Sequence, residues 1–274
     1  MDQPLADDLS VVALSQICGG AAIGHTLLRY RQISSTSDIA RRCARRGDPA
    51  GVVVLADEQT AGRGRRGRQW VMPSGALACS VLLRPTLAPS DAYLITIAAG
   101  LAVCEALETV VPLRPRLAWP NDVVLDDASR AAPAKVAGLL GESASDQRTL
   151  HWVVLGIGIN VAAAPAGLVD GCDLTQRATS LAQASGSAIA RPAVLLAVLA
   201  ALERRLAADL AGRDRAALLA AWRARLSTLG RRVELRCRTG PCRGTAIAVT
   251  EQGGLVVRRD DGTLTDVSAG EVDA

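Results

Sequence analysis

Runs of apolar residues, broken by glycine, proline and clustered hydroxyls, divide this chain into short strands and amphipathic or buried helices. Leu27 to Ile33 reads as a first strand and ends at Ser34-Ser35-Thr36-Ser37-Asp38. Hydroxyls at that point suit a helix N-cap, and the following helix runs through Ile39 to Arg46 before Gly47-Asp48-Pro49 stops it. Val52 to Leu55 and Ala76 to Leu83 read as buried strands. Ser90-Asp91 is placed to cap a long apolar helix reaching about Val111. Leu113 to Ala118 is strand-like and is halted by Trp119-Pro120-Asn121-Asp122, after which Val123 to Leu125 forms another short strand into Asp126-Asp127. Lys135 to Glu142 and Leu150 to Asn160 predict a hairpin. Helical patterns follow near Leu181, from Pro192 to Leu210 and from Arg213 to Leu226. Upstream of all this, Leu5 to Ile17 is weakly amphipathic.

The pattern changes at Gly230. Short strands then alternate with Thr239-Gly240-Pro241, Glu251-Gln252-Gly253-Gly254 and Asp260-Asp261-Gly262, a turn spacing that predicts a small antiparallel barrel of about five strands. The expected organisation is an α+β domain over residues 1–228 and a β-barrel over 229–274.

Composition narrows the class. The 274 residues are 49% hydrophobic and 21% charged, which is globular, and a formal charge of +4 is modest for a dedicated nucleic-acid binder. Only one of the 31 basic residues is a lysine, Lys135, so it is a candidate for a place where a compact ammonium is required. Seven scattered cysteines, with Cys237 and Cys242 the only close pair, predict reduced core residues rather than a disulfide framework or zinc site. Met1-Asp2-Gln3-Pro4 lacks a signal-peptide pattern, and the apolar run Leu94 to Leu107 contains Glu105 and is expected to be too short to span a bilayer. A cytoplasmic protein with no membrane partner is expected.

The candidate chemistry lies in four places. Gly62-Arg63-Gly64-Arg65-Arg66-Gly67-Arg68-Gln69-Trp70 puts four arginines and three glycines into nine residues, directly downstream of a strand. Forked guanidinium donors suit a carboxylate or phosphate, although such a segment can also be a solvated loop or an RNA-binding patch. Four like charges so close call for an anion between them. Ser35-Thr36 with Gln59 can hydrogen-bond a neutral polar head group such as an amide or urea. Asp122, at the mouth of a strand, can hold Mg²⁺, orient a basic partner, or merely cap a turn. Lys135-Val136-Ala137-Gly138 pairs with Gly156-Ile157-Gly158-Ile159-Asn160, where missing side chains would let a flat ligand lie on the sheet. There is no Gly-x-x-x-x-Gly-Lys-Ser/Thr loop, no nucleophile elbow, and no metal spacing around His25 or His151. This kit suits catalysis by positioning and charge neutralisation, such as attack of a carboxylate on the α-phosphate of ATP.

These blocks, in this order, resemble the biotin protein ligase family over about residues 27–274. The resemblance implies a mixed-sheet catalytic domain of class II synthetase type with an SH3-like C-terminal barrel, and activation of biotin with ATP and Mg²⁺ as biotinyl-5′-AMP. Transfer to a lysine of a biotin carboxyl carrier protein would follow. By resemblance, Ser35, Thr36, Ser37, Gln59, Arg63, Gly64, Arg65, Lys135 and Gly138 bind biotin. Arg65, Arg66, Arg68, Trp70, Asn121, Asp122 and Asn160 bind the nucleotide, with Asp122 the Mg²⁺ candidate and Lys135 and Arg65 catalytic. Ser37 stands where the family usually has Asn, which puts its contact in doubt. The 34 residues before Ser35 are too few for a winged helix-turn-helix, so a ligase without repressor or DNA-binding function is expected, as a monomer or weak homodimer. Lipoate ligases and octanoyl transferases, the rival enzymes, lack the arginine-glycine loop.

Overall fold

The computed structural model describes residues 21–126, 130, 132–211, 214–237, 240–268 and 272–273. The Leu5 to Ile17 pattern, Cys18 and Asp127 lie outside the described residues.

A seven-stranded sheet forms the middle layer. Its strands are β1 (Thr26–Ile33), β2 (Val52–Gln59), β3 (Leu77–Leu83), β4 (Arg116–Ala118), β5 (Asp122–Leu125), β6 (Ala134–Ser145) and β7 (Leu150–Ile159). They lie in the order β1-β2-β3-β7-β6-β5-β4, with β1 and β2 parallel and every other pair antiparallel. Both faces are covered, which explains why β2 and β3 read as unbroken apolar runs instead of alternating. Val53 and Leu55 join the large core, whereas Val52 and Val54 pack with Ala40, Cys43 and Ala44 of helix α1 (Thr36–Arg46). The large core is built on helix α2 (Tyr93–Val110), whose Ile95, Ala98, Leu101, Val103 and Leu107 are all fully buried. The segment Pro89–Val110 is long and apolar enough to cross a bilayer, so the expectation that this run is too short is corrected. Of its most apolar stretch, 67% is buried inside the protein as the central core helix.

Three further differences concern the helices and connections. Helix α1 begins at Thr36 with Ser35 at its N-cap, within the expected run of hydroxyls, but Ser35 makes no side-chain cap bond. Ser90-Asp91 does not cap α2; these residues lie in a 3-10 turn, Pro89–Asp91, and Asp91 pairs instead with Arg215 at 3.0 Å. A small hairpin, β8 (Leu168–Val169) and β9 (Cys172–Asp173), has no counterpart in the sequence expectations. It leads into α3 (Leu174–Arg177) and α4 (Leu181–Ser185), the latter closed by a capping box between Ser180 and Gln183. The long helices α5 (Arg191–Arg205), with its continuing π turn Leu206–Ala211, and α6 (Arg215–Arg225) pack on α2.

The C-terminal segment forms β10 (Arg232–Cys237), β11 (Gly240–Val249), β12 (Leu255–Arg259), β13 (Leu264–Val267) and β14 (Val272–Asp273). They make one antiparallel sheet in the order β13-β12-β11-β10-β14. The connection into it is pinned to the end of β4: the Ser227 amide donates to Leu117 O at 2.7 Å, and the Trp119 amide donates to Thr228 Oγ1 at 2.9 Å. From the other direction Trp119 Nε1 donates to Gly253 O at 2.9 Å. Cys43, Cys79, Cys104 and Cys242 are buried and unbridged, as expected of small core residues, whereas Cys172 is half-buried.

Candidate active site

A cleft of about 340 Å³ opens along one end of the seven-stranded sheet, under the arginine-glycine loop. Its floor is the paired segment of β6 and β7 around Gly138 and Gly158, and its far wall is the turn Ala118–Asp122 with the Ser227–Val233 connection.

At one end, four polar side chains form a buried chain. Thr36 donates through its amide (2.8 Å) and hydroxyl (3.1 Å) to Gln59 Oε1, and its Oγ1 lies 2.8 Å from Ser80 Oγ. Ser80 Oγ is in turn 3.1 Å from Ser37 Oγ. With Gln59 Oε1 occupied, its amide NH₂ is left to donate, beside the open N-terminus of α1. Gly156 leaves room beside this cluster, because a Cβ there would sit a tight 3.2 Å from Ser37 Oγ. Ser80 itself was missed; a lone serine inside the apolar strand Leu77–Leu83 was the available signal.

The loop is a compact hairpin. Trp70 N donates to Gly62 O at 2.9 Å, Gly64 N to Arg68 O at 2.7 Å, and Arg63 bridges to Gln69. Gly62 is forced by crowding, since a Cβ would fall 2.5 Å from Trp70 O, and Gly67 by its left-handed φ of 78°. The expected anion between the arginines is corrected at Arg63. Its guanidinium lies 2.9 Å from Asp38 Oδ1 and 3.4 Å from Glu142 Oε2, and Arg41 bridges the same two carboxylates. Burial pushes the Asp38 carboxyl up, but hydrogen bonds from Ser34, Arg41 and Arg63 outweigh it and hold the group below its usual range. The protein's own acids therefore neutralise the loop's first arginine and tie it to α1 and β6. Arg65 and Arg68 line the cleft, with Arg65 Nη1 3.4 Å from Asn121 Oδ1. Arg66, also expected to meet the nucleotide, is exposed at φ 55° on the tip of the turn and is not among the residues that line the cleft.

The glycines of the floor serve another purpose than expected. A Cβ on Gly158 would lie 2.4 Å from Trp70 Cζ2, and one on Gly138 would lie 3.0 Å from Lys135 Nζ. The Trp70 ring and the end of the Lys135 side chain lie on the bare backbone of Gly158 and Gly138. The Lys135 ammonium stands 5.6 Å from the Trp70 ring centre and 2.7 Å from Asp122 Oδ1. Asp122 and Gly138 are cross-strand partners, and the bulge at Val123/Val124 carries Lys135 over to that carboxylate. Asn121, expected to meet the nucleotide, has its NH₂ committed to Leu139 O and its oxygen to Arg65.

Asn160 is buried and donates to Thr179 O at 3.0 Å, leaving Oδ1 unpaired; Trp70 Nε1 is also buried and unpaired. An orphan acceptor and an orphan donor in one cleft fit a ligand that offers both. Beyond the expected residues, the cleft takes in Cys172, Gln176 and Arg177 from the β8-to-α3 segment, and Arg231, Arg232 and Val233 from the C-terminal side. The same hairpin holds the loop through Gln69 N, which donates to Asp170 Oδ2 at 2.8 Å. Cys79, also in the wall, is no nucleophile, since burial pushes its thiol to about 12. Among the described residues Asp122 is the lone carboxylate of the wall; its Oδ1 is ion-paired with Lys135 at 2.7 Å without a well-aligned hydrogen bond, and no group of three metal-ligating side chains occurs. The donor set does not build a protein-held Mg²⁺ site.

Residues 29–160 match the biotin/lipoate A/B protein ligase family, and residues 228–273 match the biotin protein ligase C-terminal domain. A biotin–[acetyl-CoA-carboxylase] ligase from Paracoccus denitrificans is 38% identical over 75% of this chain and 83% of its own length. One from Mycobacterium tuberculosis is 35% identical over 87% of this chain and 85% of its own length. Among solved structures, the biotin protein ligase of Aquifex aeolicus in complex with biotin and ATP superposes with a TM-score of 0.71 at 28% identity, covering 90% of this chain and 97% of that one. The shared sheet, the ordered sequence blocks and these relatives together make the chain a ligase that belongs to the biotin protein ligase family.

Proposed function

We propose that this chain condenses biotin with ATP to biotinyl-5′-AMP and then transfers the biotinyl group to a lysine of a biotin carboxyl carrier protein. The observation that carries this reading is the placement of neutral hydrogen-bonding side chains, Thr36, Ser37 and Gln59 with Ser80 bonded behind them, in the same cleft as the loop arginines and Lys135. A ureido head group needs donors to its oxygen and acceptors for its two N–H groups, and these hydroxyls and the Gln59 amide supply both. The carboxylate at the other end of such a ligand then reaches cations.

In the first step a biotin carboxylate oxygen attacks the α-phosphorus of ATP, the bond to the β-phosphate oxygen breaks, and pyrophosphate leaves with the electron pair. Lys135 and Arg65 screen the carboxylate from the phosphate and stabilise charge on the equatorial oxygens. Asp122 keeps Lys135 aimed across Gly138. Trp70 and Asn160 offer an N–H and an oxygen to the nucleotide, with Asn160 suited to accept from an exocyclic amine. Arg68 adds a further cation along the wall. In the second step the carrier lysine, as the free amine, attacks the acyl carbon, AMP departs, and the ammonium formed loses a proton. Mg²⁺ enters in this reading with ATP as the nucleotide complex, because the phosphates provide most of its ligands.

We also assign the seven-stranded sheet to the class II synthetase type and the five-stranded unit to an SH3-like barrel, dividing the chain at 228/229. The same reading makes the protein a cytoplasmic monomer or weak homodimer without repressor, DNA or membrane function. Mass spectrometry of a purified carrier domain after incubation with biotin, ATP, Mg²⁺ and this protein tests the main proposal. A biotin adduct on one lysine is expected; an unmodified carrier with active control ligase present would refute it.

A further inference from the structure

The proposed chemistry accounts for the biotin carboxylate and the α-phosphate, but the leaving pyrophosphate carries most of the negative charge of ATP. The cations of the cleft are unequally available to it. Arg63 is neutralised by Asp38 and Glu142, Lys135 by Asp122, and Arg232 by Asp260 through contacts of 2.8 and 2.6 Å. Arg231, on the C-terminal side, and Arg177, on the β8-to-α3 side, differ. Each lines the cleft, is exposed, and has a guanidinium with no ion pair or hydrogen bond among the described residues.

The backbone of Arg231, unlike its side chain, is fixed. Arg231 N donates to Thr228 O at 3.2 Å, and Arg231 O accepts from Ala246 N at 2.9 Å. Ser227 and Thr228, just before it, are bonded to Leu117 and Trp119 on the opposite strand end. A guanidinium carried on a pinned segment, left without a protein counter-ion, and opening onto a cleft for an anionic substrate is arranged to receive its charge from the ligand.

We propose that Arg231 forms a polyphosphate subsite, binding the β- and γ-phosphates of ATP and the pyrophosphate product, so that the C-terminal unit takes part in the first half-reaction. This rests on the adenylating function proposed above. The test is biotin-dependent ATP–pyrophosphate exchange with Arg231→Ala and Arg231→Lys. Loss of a charge-assisted hydrogen bond predicts KM values for pyrophosphate and ATP that rise roughly ten-fold in Arg231→Ala. Partial recovery is expected in Arg231→Lys, an unchanged KM for biotin, and unchanged transfer from preformed biotinyl-5′-AMP to a carrier. The exposed, unpartnered side chain makes misfolding of the variant unexpected, and a thermal melt checks it. Unchanged exchange kinetics would overturn the subsite. A defect confined to the carrier's KM would also overturn it, placing Arg231 in partner docking instead. If the wild-type protein showed no biotin-dependent exchange at all, the adenylation reading would have failed first.

Discussion

Placing a methyl group on Gly158 tests the packing logic of the cleft floor. Its Cβ would lie 2.4 Å from Trp70 Cζ2, 2.5 Å from Cε2 and 3.0 Å from Cη2. Carbon atoms prefer separations of about 3.5–4.0 Å, so the indole would have to retreat by roughly 1 Å or more. Trp70 cannot retreat freely, because its amide is bonded to Gly62 O and its loop is tied through Gln69 to Asp170. Overpacking of this kind costs about 1–3 kcal/mol, or roughly 5- to 150-fold in an equilibrium constant. If Trp70 frames the nucleotide, Gly158→Ala raises the KM for ATP within that range and changes biotin affinity much less. Gly156→Ala is the contrasting case: its Cβ meets the Ser37 hydroxyl at 3.2 Å and Leu140 Cβ only at an ordinary 3.8 Å, so biotin affinity suffers and the KM for ATP does not. Initial-rate exchange assays on both variants separate the two effects. The decisive control is the Trp70→Ala background, in which Gly158→Ala becomes nearly silent if the ring is what it strikes. An equal loss in both backgrounds would refute the steric argument.

Lys135→Ala is expected to abolish adenylate formation with little loss of thermal stability, and Lys135→Arg should not restore it, because the site over Gly138 accommodates a slim stem; near-normal exchange in either variant removes Lys135 from the chemistry. The Asp38 carboxyl is held below the usual range of a free aspartate, so its pairing adds stability above that range and loses it as pH falls through the lower folded value. Wild type should therefore exceed Asp38→Asn in chemical-denaturation stability near neutrality, with the gap closing in acid below about pH 4; a gap that widens on acidification contradicts the network. Ser80→Ala leaves Thr36 and Ser37 without their shared partner and should weaken biotin binding by about 1–3 kcal/mol in calorimetry while sparing ATP; unchanged biotin affinity would make Ser80 a passive core residue.

Much of the sheet was legible because turn residues bound nearly every strand, and the paired glycines on Lys135–Gly138 and Gly156–Asn160 marked the cleft floor. What those glycines admit was not legible, since the positions of Trp70 and Lys135 depend on long-range contacts across the fold. The arginine loop shows the same limit. Its charge could be counted from the sequence, but its counter-ions Asp38 and Glu142 come from α1 and β6, one of them 79 residues away. The β8–β9 hairpin is only two residues per strand, too short for any periodicity, yet it holds the loop at Gln69. The Arg231 wall became visible only once the Ser227–Thr228 bonds fixed the C-terminal unit against Leu117 and Trp119.

The central claim is that biotin and ATP are joined in this cleft before any carrier arrives. Incubating the protein with biotin and α-labelled ATP without a carrier, then chromatographing the acid-quenched mixture, reads this directly. The expected result is biotinyl-5′-AMP with release of pyrophosphate, absent when lipoate replaces biotin and absent in Lys135→Ala. Failure of the wild-type protein to form the adenylate, or equal adenylation of lipoate, would contradict the account.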